Sequence, residues 1–246
     1  MWRPVLVEMR YVKIRSEWLG HSDCSTCQVR SDALFSVLDQ ADIEPIACKL
    51  DDLSFPASSV VFHQGALPDA VYTVREGAIK LIRYLANGDR RIVGVLKPGD
   101  LAGLEAFSDE PYSCSGITLG EVRACRIPSS LICSLAEKNE ALRRRIFEKY
   151  QAALRESGAW LSELAAGSGS ARVRMARLLL RLRRSNSCDE VFRFGVEDLG
   201  AMLGISVETA SRVLAALKRE NVLGPASRGQ FHFSADLSAL ERIAAG

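Results

Sequence analysis

Between Val196 and Leu223 the chain spells two helices joined at a glycine, and few segments leave a polypeptide so little choice of structure. Gly204 ends the first helix, where a residue without Cβ takes positive φ at no steric cost. Ser206 stands at the N-cap of the second, placed to accept from a backbone N–H of the first turn. Val207, Ala210, Val213, Leu214 and Leu217 then recur at helical spacing and predict a buried stripe. Glu208, Ser211 and Arg212, at i, i+3 and i+4, share the opposite face near the N-terminal end. Arginine bonds guanine O6 and N7, and a carboxylate accepts from cytosine N4. Such a face is equipped to read base edges in a major groove of double-stranded DNA. The alternative is a helical hairpin with an ordinary charged surface. It leaves unexplained the glycine, the cap and a hairpin signal just downstream at Ser227-Arg228-Gly229.

Upstream the texture differs. From about residue 53 to 128, β-branched and aromatic runs predict strands at 60–62, 70–74, 79–82 and 92–96. Gly65, Gly77, Asn87-Gly88-Asp89 and Pro98-Gly99-Asp100 punctuate them as turns. Many short strands in one block predict a roll or sandwich. Residues 31–50 predict a helix burying Leu34, Phe35, Leu38, Ile43 and Ile46, whereas Met1 to Gly20 show no period. A single long helix is predicted from about Ala136 to Ala166, with Leu142, Ile146, Tyr150, Leu154 and Leu161 at helical spacings. A stripe sustained that long suits pairing with a second copy, so a homodimer is expected; burial against the chain's own strands is the other use of that face. Gly167-Ser168-Gly169-Ser170 reads as a hinge. The expected fold is α+β in three parts: an arm and β-roll over 1–135, a dimerisation helix and hinge over 136–168, and a winged helix-turn-helix over 169–246.

Charge agrees with that division. From Gly169 to Gly246 there are 12 Lys or Arg against 8 Asp or Glu, a net of +4 that leaves −2 on the rest of a chain whose net charge is +2. A basic part on a mildly acidic body suits phosphate backbone. No apolar run approaches the ~20 residues of a membrane span, and Arg3, Glu8, Arg10, Lys13 and Arg15 interrupt any signal-peptide core. A cytoplasmic protein with no membrane partner is expected. No phosphate loop, nucleophile elbow or His-Glu-x-x-His is present. A metalloenzyme built on the roll needs several clustered histidines, and the chain has 3. No enzyme is expected.

At the helix pair the chain resembles the Crp/Fnr family of transcription regulators, and Val207-Glu208-Thr209-x-Ser211-Arg212 resembles its Fnr branch. Gly77-Ala78-Ile79-Lys80, Gly88-Asp89, Pro98-Gly99-Asp100-Leu101 and Cys125-Arg126-Ile127-Pro128 resemble that family's β-roll. The resemblance implies a cyclic-nucleotide-binding-type β-roll, a dimer helix and a DNA-binding winged helix, with Glu208, Thr209, Ser211, Arg212 and Lys218 on the DNA side. It also implies a two-fold symmetric promoter site of the TTGAT type and contact with RNA polymerase. Asn87-Gly88-Asp89 resembles the polymerase-contacting loop, and a plain hairpin turn is its other reading. The cyclic-nucleotide branch holds phosphate with an Arg-Ser pair after a Gly-Glu-Leu turn. Here the stretch reads Gly103-Leu104-Glu105-Ala106-Phe107 and then Glu110-Pro111-Tyr112-Ser113-Cys114-Ser115, without arginine. Cyclic AMP is therefore not the expected effector.

The chain has 7 cysteines, an odd number that argues against a disulfide framework. Most read as small core residues. Cys24-Ser25-Thr26-Cys27 differs: it resembles the start of the Fnr-branch iron–sulfur motif, and Cys125 resembles its distant ligand. Ala33 stands where that pattern has a further cysteine, so a [4Fe–4S] cluster needs one non-cysteine ligand. Asp32, Asp23, His21 and a rearranged Cys114 are the candidates. A zinc site or thiol switch is the second reading of Cys24 and Cys27, and a centre without metal the third. Haem has only His63 in the roll to hold it.

Overall fold

The computed structural model describes residues 16–108, 110–161, 169–183, 189–226 and 232–246. The arm before residue 16, Gly167 and Ser168 of the hinge, Cys188 and the Ser227-Arg228-Gly229 turn lie outside the described residues. The chain begins with β1 (Glu17–His21), which pairs antiparallel with β2 (Asp51–Phe55). Between them the expected helix over 31–50 is broken. It comprises a 3-10 turn (Leu34–Val37), a single α turn, α1 (Gln40–Ile43), and a second 3-10 turn (Glu44–Lys49). Asp39 caps α1 by accepting from the Asp42 N–H, and Pro45 opens the second 3-10 turn. Local side-chain bonding and proline thus compete with one continuous helix. The apolar face survives the breaks: Leu34, Phe35, Leu38, Ile43 and Ile46 are all buried.

The strands that follow are β3 (Val60–Phe62), β4 (Ala70–Glu76), β5 (Ile79–Tyr84), β6 (Arg90–Leu96), β7 (Leu101–Ala102), β8 (Ser115–Thr118) and β9 (Val122–Pro128). They form two sheets, ordered β1-β2-β9-β4-β7 and β3-β8-β5-β6. Phe55, Phe62, Tyr72, Ile79 and Tyr112 fill the space between them. Gly77 makes the β4–β5 turn possible. Its φ is +80°, and a Cβ there would meet the Glu121 carbonyl oxygen at 2.4 Å.

From β9 the chain passes directly into α2 (Ser129–Lys138) and then α3 (Glu140–Trp160). These replace the single helix expected over 136–166. Asn139 leaves helical geometry and its side chain accepts from the Leu142 N–H at 2.9 Å, ending one helix and capping the next. The domain boundary expected at 135 falls inside α2. Leu142 is fully buried against the roll and so unavailable to a second copy, and the half-buried Ile146 packs beside it. Their neighbours there are Leu34, Phe35 and Ile132, which supply an intrachain core first. Tyr150 donates its hydroxyl to the Leu104 carbonyl at 2.8 Å. Leu154 and Leu161 are exposed, as is Phe147, and these three recur every seven residues.

The C-terminal part comprises α4 (Ala171–Arg181), β10 (Glu190–Phe192), α5 (Val196–Leu203), α6 (Val207–Arg219), β11 (Leu223–Ala226), β12 (His232–Ala235) and α7 (Leu237–Ala245). Its sheet runs β10-β12-β11. Its core, built on Met175, Leu178, Leu203 and Leu217, is continuous with Ile82, Ile92 and Val95 on the outer face of β5 and β6. Two ion pairs reinforce that docking: Lys80 with Asp198 at 2.6 Å and Arg90 with Glu197 at 3.2 Å. No single helix among the described residues is long and apolar enough to cross a membrane.

Candidate nucleic-acid interface and thiol centre

The helix pair has the geometry that the sequence predicts. Gly204 closes α5 in the left-handed region with φ 60°, and the axis turns by 110° into α6. Ser206 caps α6, its hydroxyl accepting from the Thr209 N–H at 3.2 Å. Ala210, Leu214 and Leu217 are buried beneath the helix; Val213 is half-buried and Val207 is exposed. Val207 misses the core because it sits at the first helical position, above the turn, where the chain has only begun to pack. Glu208, Ser211 and Arg212 are exposed together at the N-terminal end. The Thr209 hydroxyl links Ser206 at 3.2 Å to the Arg212 guanidinium at 3.3 Å, so the cap also orients the arginine. Glu208 is held below the usual carboxylate range by its own backbone N–H and by the Ser206 hydroxyl. It therefore presents a charged acceptor at neutral pH. Lys218 lies in the last turn of α6, about 15 Å along the axis from Glu208, with its ammonium 4.7 Å from the Phe233 ring.

Folding also gathers the three singled-out thiols. Cys24 and Cys27 lie in the loop after β1, and Cys125 lies on β9 opposite Asp52 of β2 and Thr73 of β4. Cys24 packs against the same apolar cluster that contains Cys125. Burial pushes the Cys125 thiol up to about 12, and Cys24 and Cys27 contribute to the rise. Burial likewise raises Cys24, with Cys27 its next cause. The buried Ser22 hydroxyl lies beside the Cys125 thiol and has no hydrogen-bond partner of normal geometry.

The loop is tied to α3. Arg145 donates to the carbonyls of Ser31, Asp32 and Ala33 at 3.0–3.4 Å. Arg30 braces it from within, donating to the carbonyls of Cys24 and Leu38. The composition of the loop gave no sign of Arg145, which lies 112 positions from Ala33.

The fourth-ligand candidates are dispersed. Asp23 accepts from the backbone and hydroxyl of Ser25, which lower its pKa, and from Thr26. Asp32 lies against Gly99, His21 stacks edgewise on Trp18, and Cys114 is buried elsewhere, near Glu105 and Arg83. Among the described residues no group of three or more His, Cys, Asp or Glu stands close enough to hold a metal ion.

Burial keeps the Cys125 thiol protonated, and so unreactive, at pH 8. Iodoacetamide is expected to spare it in the native protein and to modify it once urea unfolds the chain. Modification at the rate of the exposed Cys48 and Cys133 would contradict its burial.

Two family models match the chain: a cyclic nucleotide-binding domain over residues 52–139 and a Crp-like helix-turn-helix domain over 173–243. The chain is 30% identical over 211 residues to the nitrogen fixation regulation protein FixK of Bradyrhizobium diazoefficiens, covering 83% of this chain and 86% of that one. It is 31% identical over 174 residues to the cyclic AMP receptor protein of Thermus thermophilus, covering 70% and 79%. The solved structure of FixK2 from Bradyrhizobium japonicum superposes with a TM-score of 0.69 at 22% identity, covering 80% of this chain and 98% of that one.

Proposed function

The chain belongs to the Crp/Fnr family of DNA-binding transcription regulators, and on that premise we propose that it works as a cytoplasmic homodimer whose DNA affinity is set by the redox state of Cys24, Cys27 and Cys125. The observation that carries the sensor is that the loop bearing Cys24 and Cys27 packs on the apolar cluster containing Cys125 of β9 and is bonded to α3 through Arg145. Oxidation by a peroxide or disulfide takes two protons and two electrons from Cys24 and Cys27 and joins them as a disulfide. The loop then rearranges, and its carbonyls shift against Arg145, on the helix that leads toward the DNA-binding part. The same thiols would give three thiolates to an iron–sulfur cluster or a zinc ion. Among the described residues no three donors stand at metal-binding separation, so the reading assigns no step to a metal. Metal and sulfide analysis of protein purified without air tests that occupancy.

DNA affinity is to be measured for the parent and for Cys24→Ser, Cys27→Ser, Cys125→Ser and Arg145→Ala, reduced and oxidised. The parent is expected to change affinity with oxidation, Cys24→Ser, Cys27→Ser and Arg145→Ala to lose that difference while keeping reduced-state binding, and Cys125→Ser to alter its size through the packing under the loop. A parent whose affinity ignores oxidation would contradict the sensor.

Dimerisation is supported by the exposed seven-residue repeat Phe147, Leu154 and Leu161. Phe147→Asp with Leu154→Asp is expected to convert a dimer to a monomer in sedimentation without loss of helicity. A parent already monomeric at micromolar concentration would contradict it. RNA polymerase is the proposed partner of the Asn87-Gly88-Asp89 turn. Cyclic AMP is given no role, because the stretch that follows Gly103 holds no arginine and Glu105 takes the Ser113 N–H and hydroxyl.

A further inference from the structure

Basic charge is concentrated in two stretches of this chain. From Ile79 to Lys97, which holds β5, β6 and the turn between them, there are 5 Lys or Arg against 1 Asp, a net of +4. The C-terminal part carries another +4, and together they leave −6 on the remainder of a chain whose net charge is +2. The fold packs these two basic stretches against each other, with α5 on β6 and one core running between them.

Two of the hairpin's cations serve that packing: Lys80 pairs with Asp198, and Lys97 donates to the Arg181 carbonyl at 3.2 Å. Arg90 reaches Glu197 at 3.2 Å, but both side chains are exposed, and such a pair is weak and screened by salt. The Arg91 guanidinium has no hydrogen bond or ion pair among the described residues. Its register partner in the ladder is Arg83, and like charges directly opposite one another repel.

Arg90 and Arg91 line a shallow recess with Glu197, Gly204, Ile205 and Val207. Gly204 to Val207 is the turn into α6 together with its first residue. The two arginines therefore stand beside the head of the DNA-reading helix. A helix with its side chains is about 10–12 Å across, and the major groove is about 12 Å wide. A helix that enters head first fills such a groove, so groups flanking its head meet sugar–phosphate rather than base edges. Arginine offers phosphate both a charge and a fork of donors.

We infer that Arg90 and Arg91 of the β-roll bind the phosphate backbone beside the bases that α6 reads, so that the DNA interface runs from the winged helix onto the roll. Phosphate takes Arg90 from Glu197 and gives Arg91 the counter-charge it lacks. Glu197 stays in the first turn of α5, where the helix dipole favours a carboxylate. The inference rests on α6 being the DNA-reading helix and needs neither the thiol centre nor the dimer.

The test measures the affinity of the full chain for a TTGAT inverted repeat and for a scrambled duplex at several salt concentrations, with no polymerase present. Each phosphate contact adds about 0.9 to the slope of log affinity against log salt. Arg90→Gln with Arg91→Gln, both exposed positions, is expected to lower that slope by roughly 1.8 and to weaken both duplexes by the same factor. Arg90→Lys with Arg91→Lys is expected to keep most of the slope, because lysine still meets phosphate as a point charge. Glu197→Gln breaks the same ion pair but keeps both cations, and is expected to bind both duplexes at least as tightly as the parent. A neutral double variant with the parent's slope would overturn the inference, and so would a loss confined to the specific duplex. Glu197→Gln weakening DNA as much as the neutral double variant does would make the arginines docking residues and overturn it too. A parent that binds neither duplex would remove the DNA-reading role of α6 and the inference with it.

Discussion

Arg212→Ala is expected to weaken binding to a specific duplex by about 1–3 kcal/mol, roughly 5- to 150-fold, and to leave binding to a scrambled duplex nearly unchanged. The side chain is exposed at the N-terminal end of α6, so its removal costs the fold little. Its direction is set by the Thr209 hydroxyl, which is itself fixed by the Ser206 cap. An arginine held that way would meet a guanine with its donor fork already oriented. Competition titrations with every base substituted at each half-site position would locate the guanine it reads. An equal loss on specific and scrambled duplexes would make Arg212 a phosphate contact and contradict its assignment.

The second large effect concerns the floor beneath the thiols. Asp52 is nearly buried and accepts from Arg75 at 2.9 Å and Arg123 at 2.6 Å. Asp52→Asn keeps the shape but removes the charge, leaving the Arg75 head, 13% exposed, without its partner. Breaking a buried pair from one side costs about 3–5 kcal/mol. The lower end is expected here, because Arg123 is 36% exposed and keeps Glu76. Urea unfolding should show a loss near 3 kcal/mol. A loss under about 1 kcal/mol would mean that solvent screens the pair like a surface one. Asp52 is also the register partner of Cys125, so this variant should loosen the thiol centre as well as the roll.

The sequence made the helix pair legible because its signals are local: a glycine needing positive φ, a serine cap and a stripe at period 3.6. The strands at 60–62, 70–74, 79–82 and 92–96 were legible for the same reason, each being bracketed by turn residues. The first two became β3 and the core of β4, and the others lie within β5 and β6. What failed depended on partners distant in sequence. Nothing near Leu142 announces Leu34 and Phe35, so Leu142 and Ile146, which serve the chain's own core, read no differently from the exposed Leu154 and Leu161 of the same stripe. Phe147 escaped notice because seven-residue recurrence with Leu154 and Leu161 is informative only once Leu142 and Ile146 are known to face inward. Asn139 was hidden in an unbroken helical texture, although its side chain is the type that caps a helix. The convergence of Cys24 and Cys27 with Cys125 was expected from a resemblance; the fold packs Cys24 on the cluster that contains Cys125, with no three donors at metal-binding separation among the described residues. The facing of Arg83 and Arg91 needs the ladder register, which the Asn87-Gly88 turn implies only to within a residue or two.

The measurement that bears most directly on the central claim is a titration of the reduced protein against two labelled duplexes at one fixed salt concentration. One carries TTGAT half-sites as an inverted repeat one helical turn apart, and the other carries the same bases scrambled. Two protomers per specific duplex and a preference of at least a thousandfold are expected, since dimeric helix-turn-helix proteins read paired half-sites and specific binding exceeds non-specific by that order. Equal affinity for both duplexes, or one protomer on the specific site, would contradict a dimer that reads DNA through α6.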